Sequence, residues 1–199
     1  AVDETLERLD TDYIDLMILH QPAGNYLAGY AKLEAAYKAG KLRSIGISNF
    51  NKAEIENLLA HCEITPALIQ VECHPYFPQT ELKELLDKHN IALQSWYPLG
   101  GRDNKSILEE PVVSELAEKH GKTAAQIIMR WHVQQGNIVI PGSKTPSHID
   151  DNIDIFDFEL SDEDMAAMAT LDQGKPFYER TPDKIAYYAT WHPDVEGQK

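Results

Sequence analysis

The sequence predicts an α/β fold built from repeated βα units, on three observations. Short apolar runs alternate with segments of helical period along most of the chain. Most strand starts lie about 25–30 residues apart, the length of one βα unit. The first run, Ile14–Leu19, is nearly continuous rather than alternating, as in a strand covered on both faces of a parallel sheet.

Ile14–Leu19 is the first strand. Asn25–Ala39 follows as a helix with Tyr26, Tyr30, Leu33 and Tyr37 on one inward stripe, and Gly40 stops it. Arg43–Ile47 is the second strand. Asn51 and Glu54 form a capping box for a helix that turns Ile55, Leu58 and Leu59 inward. Ala67–Val71 is the third strand, Glu81–Lys88 a helix, and Ile91–Ser95 the fourth strand. Val112–Lys119 is helical up to a break at Gly121. Thr123 and Gln126 cap a helix whose Ile127, Ile128 and Trp131 face the core. Ile138–Ile140 is the fifth strand, and Pro146–Ile153 a short helix. Ser161 caps a last helix bearing Met165, Met168 and Leu171. The tail after Gly174 holds Pro176, Pro182 and Pro193 among aromatics and reads as a surface loop.

Such units build either a (β/α)8 barrel or a doubly wound sheet. No glycine-rich turn follows the first strand, which disfavours a dinucleotide-binding doubly wound fold. A barrel needs eight strands and typically about 250 residues, so five strands predict a partial barrel: three leading units missing, or supplied by another chain.

Composition narrows the function. The 199 residues are 43% hydrophobic and 25% charged, as in a globular domain. The net charge of −14 argues against nucleic acid and anionic membrane as partners. Nine acids and no Lys or Arg lie between Ile149 and Gln173, read as a solvated helical face. No apolar run approaches the ~20 residues of a membrane helix. No signal peptide is visible, and the chain starts without Met, as a processed product or fragment does. Cys62 and Cys73 form neither a disulfide framework nor a zinc spacing and read as reduced cytoplasmic thiols.

Chemistry gathers at the strand ends: His20-Gln21-Pro22, Gly46-Ile47-Ser48-Asn49-Phe50, Gln70-Val71-Glu72-Cys73-His74-Pro75 and Gln94-Ser95-Trp96-Tyr97-Pro98-Leu99-Gly100. The carboxyl ends of strands are where α/β folds carry active sites. Together with Glu34…Gly40-Lys41-Leu42-Arg43-Ser44-Ile45-Gly46 and Phe156-Asp157-Phe158-Glu159-Leu160-Ser161, these motifs resemble the aldo-keto reductase family over essentially the whole chain. The His-Gln-Pro and Ser-Trp-Tyr-Pro variants look most like its bacterial branch that includes diketogluconate reductases.

The resemblance implies a (β/α)8 barrel that uses NADPH, or less often NADH, to reduce an aldehyde or ketone to an alcohol. Residues 1–199 then form the C-terminal portion of a single barrel domain lacking its N-terminal third. The family's catalytic Tyr, Lys and Asp have no positions here, and His20 matches its catalytic His, which orients the carbonyl. The chain alone is then an incomplete, inactive part of the enzyme. Ser48, Asn49 and Gln70 match positions that hydrogen-bond the nicotinamide carboxamide; turn and capping chemistry is the structural alternative for the first two. Trp96 matches the aromatic ring that stacks on the nicotinamide. Leu99, Gly100, Gly101 and Arg102 match the loop over the pyrophosphate. Gly142 and His148 stand where NADPH-preferring members carry Lys and Arg, which implies weakened NADPH preference or dual specificity. Lys144 is the compensating cation, Ser143 and Thr145 are donors to phosphate or ribose, and Asp151 and Asn152 match adenine contacts. Glu72 and His74 read as loop-fixing residues.

The implied partners are a small-molecule carbonyl substrate and the missing N-terminal portion, with no nucleic acid, membrane or metal. A non-catalytic nucleotide-binding or regulatory module of the same fold is the alternative reading. A metal-dependent hydrolase using His20, Glu72 and His74 is disfavoured because no His-x-His pair or carboxylate cluster appears.

Overall fold

The computed structural model describes residues 2–101 and 106–191; Arg102 and Pro193 lie outside the described residues. The chain divides into two compact units, Ala1–Ala67 with Glu179–Lys199, and Leu68–Tyr178.

The first unit holds α1 (Val2–Leu9), β1 (Met17–Leu19), α2 (Tyr26–Lys38), β2 (Ile45–Ser48) and α3 (Lys52–Leu59). Strands β1 and β2 are parallel, with Leu19 opposite Ile47. Asn25 caps α2 by accepting from Ala28 N–H, and Gly40 past its end has φ +77, the left-handed conformation that suits glycine. The capping box of Asn51 and Glu54 opens α3, and Ile55 and Leu58 are buried. The inward stripe of α2 differs from expectation at its last turn. Tyr37 is exposed, and the buried position belongs to Glu34, whose carboxylate accepts the N–H groups of Glu63 at 2.7 Å and Ile64 at 2.8 Å. Tyr30 is buried as expected; its hydroxyl donates to Ile64 O at 3.0 Å, and burial pushes its phenol well above the ordinary range.

The second unit holds β3 (Leu68–Glu72), α4 (Thr80–Lys88), β4 (Ala92–Trp96), a short 3-10 turn (Ser106–Glu109), α5 (Pro111–His120), α6 (Ala124–Gln134), β5 (Ile138–Val139), α7 (Pro146–Ile153) and α8 (Asp162–Ala169). Its strands are parallel, with Gln70 opposite Gln94, Glu72 opposite Trp96 and Ser95 opposite Val139. Gly121 ends α5 at φ +62. The Thr123–Gln126 capping box opens α6, whose Ile127, Ile128 and Trp131 pack with Val113, Leu116, Leu160 and Met168 in one apolar core. Cys73 is buried, which pushes its thiol up to about 12; Cys62, half-buried, is also raised by desolvation, and both are free.

Three expectations are corrected. The strands begin later than the apolar runs suggest, because Ile14 only bridges to Leu42 before β1 starts at Met17. The tail is not all loop: α9 (Pro182–Thr190) belongs to the first unit, with Thr181 accepting from Lys184 N–H and Pro182 in the first turn, where its missing N–H costs nothing. The acidic stretch is not simply a solvated face. Asp154 and Asp157 both pair with Lys122 at 2.8 Å, and Glu159 pairs with Arg130 at 3.2 Å. Asp164 is buried between Lys119 at 2.7 Å and His120 at 2.9 Å. Burial works against its charge, but hydrogen bonds from these two and from Ser161 N–H outweigh it and hold the carboxyl at about 2. Among the described residues no helix is long and apolar enough to cross a membrane.

His132 on α6 is fully buried, and desolvation pushes its imidazole down to about 3. The unfolded chain takes up that proton near 6.5, so stability falls as pH drops below about 6.5, by at most about 1.4 kcal/mol per pH unit from this residue. Urea midpoints measured from about pH 7 to about pH 5 should fall for the parent and fall less for His132→Leu. Parallel slopes would mean that His132 titrates alike in both states.

Candidate active site

In the first unit the chain leaves β1 at Leu19 and presents His20 exposed just beyond it. Because β1 and β2 are parallel, the end of β2 lies alongside, and Asn49 donates through Nδ2 to His20 O at 3.3 Å. Asn49 has φ +63, a left-handed conformation that Asn tolerates better than most residues. Ser48 is fully buried, and its hydroxyl has no hydrogen-bond partner among the described residues. The helix cap next in sequence is made by the Asn51 side chain, so capping does not account for Ser48.

In the second unit the parallel register sets Gln70 opposite Gln94, and Gln70 Nε2 donates to Gln94 Oε1 at 2.7 Å. Sequence reasoning missed Gln94 as a partner. Its only signal was a second amide in another apolar run, and the register that pairs the two is not readable from either run alone. Trp96, half-buried, ends β4, with Tyr97 edge-on at 4.7 Å and Tyr178 edge-on at 5.9 Å.

The turn after Trp96 is constrained. Tyr97 has φ +56, Gly100 φ +88 and Gly101 φ +80, and Gly100 N–H donates to Tyr97 O at 2.9 Å. A Cβ on Gly101 would sit 3.0 Å from the Tyr97 ring. Leu99, also half-buried, packs against the apolar core. Thus Trp96, Leu99 and Gly101 share one turn.

Ser143, Lys144 and His148 gather at the start of α7, where backbone N–H groups and the helix dipole favour an anion. Lys144 and His148 are exposed, while Ser143 Oγ accepts from Thr145 N–H at 3.0 Å, which spends part of its bonding capacity on the turn. Asp151 and Asn152 lie in the last turn of the same helix, away from that end.

Glu72 and His74 fix a loop, as read from the motif. Glu72 accepts from Phe177 N–H at 2.6 Å and Tyr178 N–H at 3.0 Å, and His74 Nε2 stands 3.0 Å from its carboxylate. No cluster of three or more His, Cys, Asp or Glu suited to a metal occurs among the described residues.

The model of the Aldo/keto reductase family matches residues 1–173. The chain belongs to this family. It is 42% identical over 178 residues to an aldo-keto reductase of Mycolicibacterium smegmatis, covering 88% of this chain and 64% of that protein. It is 42% identical over 174 residues to glyoxal reductase of Bacillus subtilis, covering 87% and 62%. The crystal structure of an aldo-keto reductase from a Medee basin deep-sea metagenome library matches with a TM-score of 0.86 at 36% identity, covering 89% of this chain and 66% of that one. The chain thus spans from 62% to 66% of the length of these relatives. Its parallel βα units are those of the aldo-keto reductase (β/α)8 barrel, in part. Aldo-keto reductases generally use NADP(H).

The turn after Trp96 gives a direct test. Gly101→Ala adds both left-handed strain and a clash with Tyr97, at about 1–2 kcal/mol for the strain alone. Urea denaturation should show that loss, and a Tyr97→Ala background should recover the clash and leave the strain. An unchanged midpoint in Gly101→Ala would mean that the turn relaxes freely.

Proposed function

We propose that this chain forms the C-terminal portion of a single barrel domain in an NADPH-dependent reductase of small aldehydes and ketones. The observation that carries the reading is the buried hydroxyl of Ser48, without a partner among the described residues, next to Asn49 and His20. A buried hydroxyl without a partner costs about 1–3 kcal/mol, and a cofactor carboxamide with matched donors and acceptors would remove that cost. The residues therefore fit a nicotinamide cofactor.

In this reading Ser48 and Asn49 in the first unit match carboxamide contacts of the family, and so does Gln70 in the second, where Gln94 fixes the Gln70 amide from the neighbouring strand. Trp96 offers its ring to the nicotinamide. The glycine backbone at Gly101, where a side chain would meet Tyr97, and Leu99 follow the pyrophosphate. Lys144, His148 and Ser143 at the start of α7 take the 2′-phosphate, and Asp151 and Asn152 the adenine. Gly142 and His148 in place of the usual Lys and Arg, with Lys144 compensating from two residues on, leave NADH as a second cofactor. The bound cofactor supplies the hydride. His20 holds and orients the substrate carbonyl at the rim, where a hydrogen bond to the developing oxyanion counts most. Names such as glyoxal reductase among the relatives point to small α-oxoaldehydes as first substrates to try. The free cysteines and the absence of a long apolar helix among the described residues support a cytoplasmic setting.

Two outcomes test this. In the complete enzyme, His20→Ala should lower kcat by about a hundredfold or more and leave NADPH affinity unchanged; equal losses of both would assign His20 a structural role. The 199-residue chain alone contains no match to the family's Tyr, Lys and Asp and should consume no NADPH with methylglyoxal. Turnover by the purified chain would overturn that part of the reading. A complete protein that binds NADPH and never turns over would instead be a nucleotide-binding module.

A further inference from the structure

Glu72 is the last residue of β3 and only 5% exposed. A carboxylate so far from water is costly unless donors surround it. Two of its donors come from 105 and 106 residues away: Phe177 N–H at 2.6 Å and Tyr178 N–H at 3.0 Å. His74 backs the same carboxylate through Nε2 at 3.0 Å, and its fully buried ring stacks on Phe177 with centroids 4.5 Å apart. The segment ahead is tied as well, since Gln173 N–H donates to Tyr76 O at 3.0 Å. Tyr178, held by its backbone, brings its ring edge-on to Trp96 at 5.9 Å.

We propose that Glu72 and His74 form a latch that pins Phe177 and Tyr178 and, through the Tyr178 ring, sets the attitude of Trp96. Glu72 is then a positioning residue for cofactor stacking. The role of the latch rests on the reading of Trp96 given above, whereas its existence does not. A charged acceptor shared by two amides and an imidazole is stronger than neutral hydrogen bonds. Glu72→Gln keeps the shape but removes the charge and turns an NH2 group toward donors, so the segment is released while the sheet pairing of β3 is kept.

The test has two readouts. Hydrogen exchange on the full chain should show the Phe177 and Tyr178 amides exchanging about tenfold or more faster in Glu72→Gln. Phe177→Leu, which removes the stacking and leaves the carboxylate, should give a smaller rise, and it serves if Glu72→Gln does not fold. In the complete enzyme Glu72→Gln should weaken NADPH binding about tenfold, and the effect should disappear in a Tyr178→Ala background, a coupling that a general loss of stability does not produce. Unchanged exchange overturns the latch. Faster exchange with NADPH affinity unchanged, or an effect that persists without the Tyr178 ring, overturns the route through Trp96. A parent enzyme that binds no NADPH overturns the proposed function and with it the role of Trp96, while exchange still decides the latch.

Discussion

A carboxylate removed from water must be met by donors, and this requirement closes the chain on itself at three places. Glu34 on α2 gathers the amides of Glu63 and Ile64 in the loop after α3. Glu72 gathers the amides of Phe177 and Tyr178. Asp164 caps its own helix through Ser161 N–H and holds Lys119 and His120 of α5. In each case a charge unfavourable alone becomes tolerable because a distant segment brings it hydrogen bonds, so the geometry of that segment is specified as well as stabilised. The apolar core supplies cohesion, and these anchors decide which loops lie where.

Local signals were legible and distant ones were not. Helix starts at Asn51, Thr123 and Ser161 depend on residues three apart, and all three form capping boxes. Gly40 and Gly121 mark helix ends because only the residue itself must adopt positive φ. Tyr37 and Glu34 show the limit. Both sit on plausible faces of α2, but which one is buried depends on where the loop at residues 63–64 arrives. The tail misled for a different reason: prolines read as breakers, yet Thr181-Pro182 is a helix-start pair, and α9 follows it.

The candidate site residues of each unit divide in the same way. His20, Ser48, Trp96 and Gly101 stand at strand ends and turns, which sequence motifs mark directly. The Gln70–Gln94 pair needed the register of two strands, and the contact between Tyr178 and Trp96 needed a tail held by a residue a hundred positions earlier. The resemblance named the residues; the structure shows which of them lean on partners that the motifs omit.

The two cysteines carry one more consequence. Cys73 is buried with its thiol pushed up to about 12, and desolvation raises Cys62 as well. Thiolates, not thiols, are the nucleophiles of protein sulfur. Cys73 is therefore withheld from electrophiles twice over, by the packing around it and by a thiol that holds its proton.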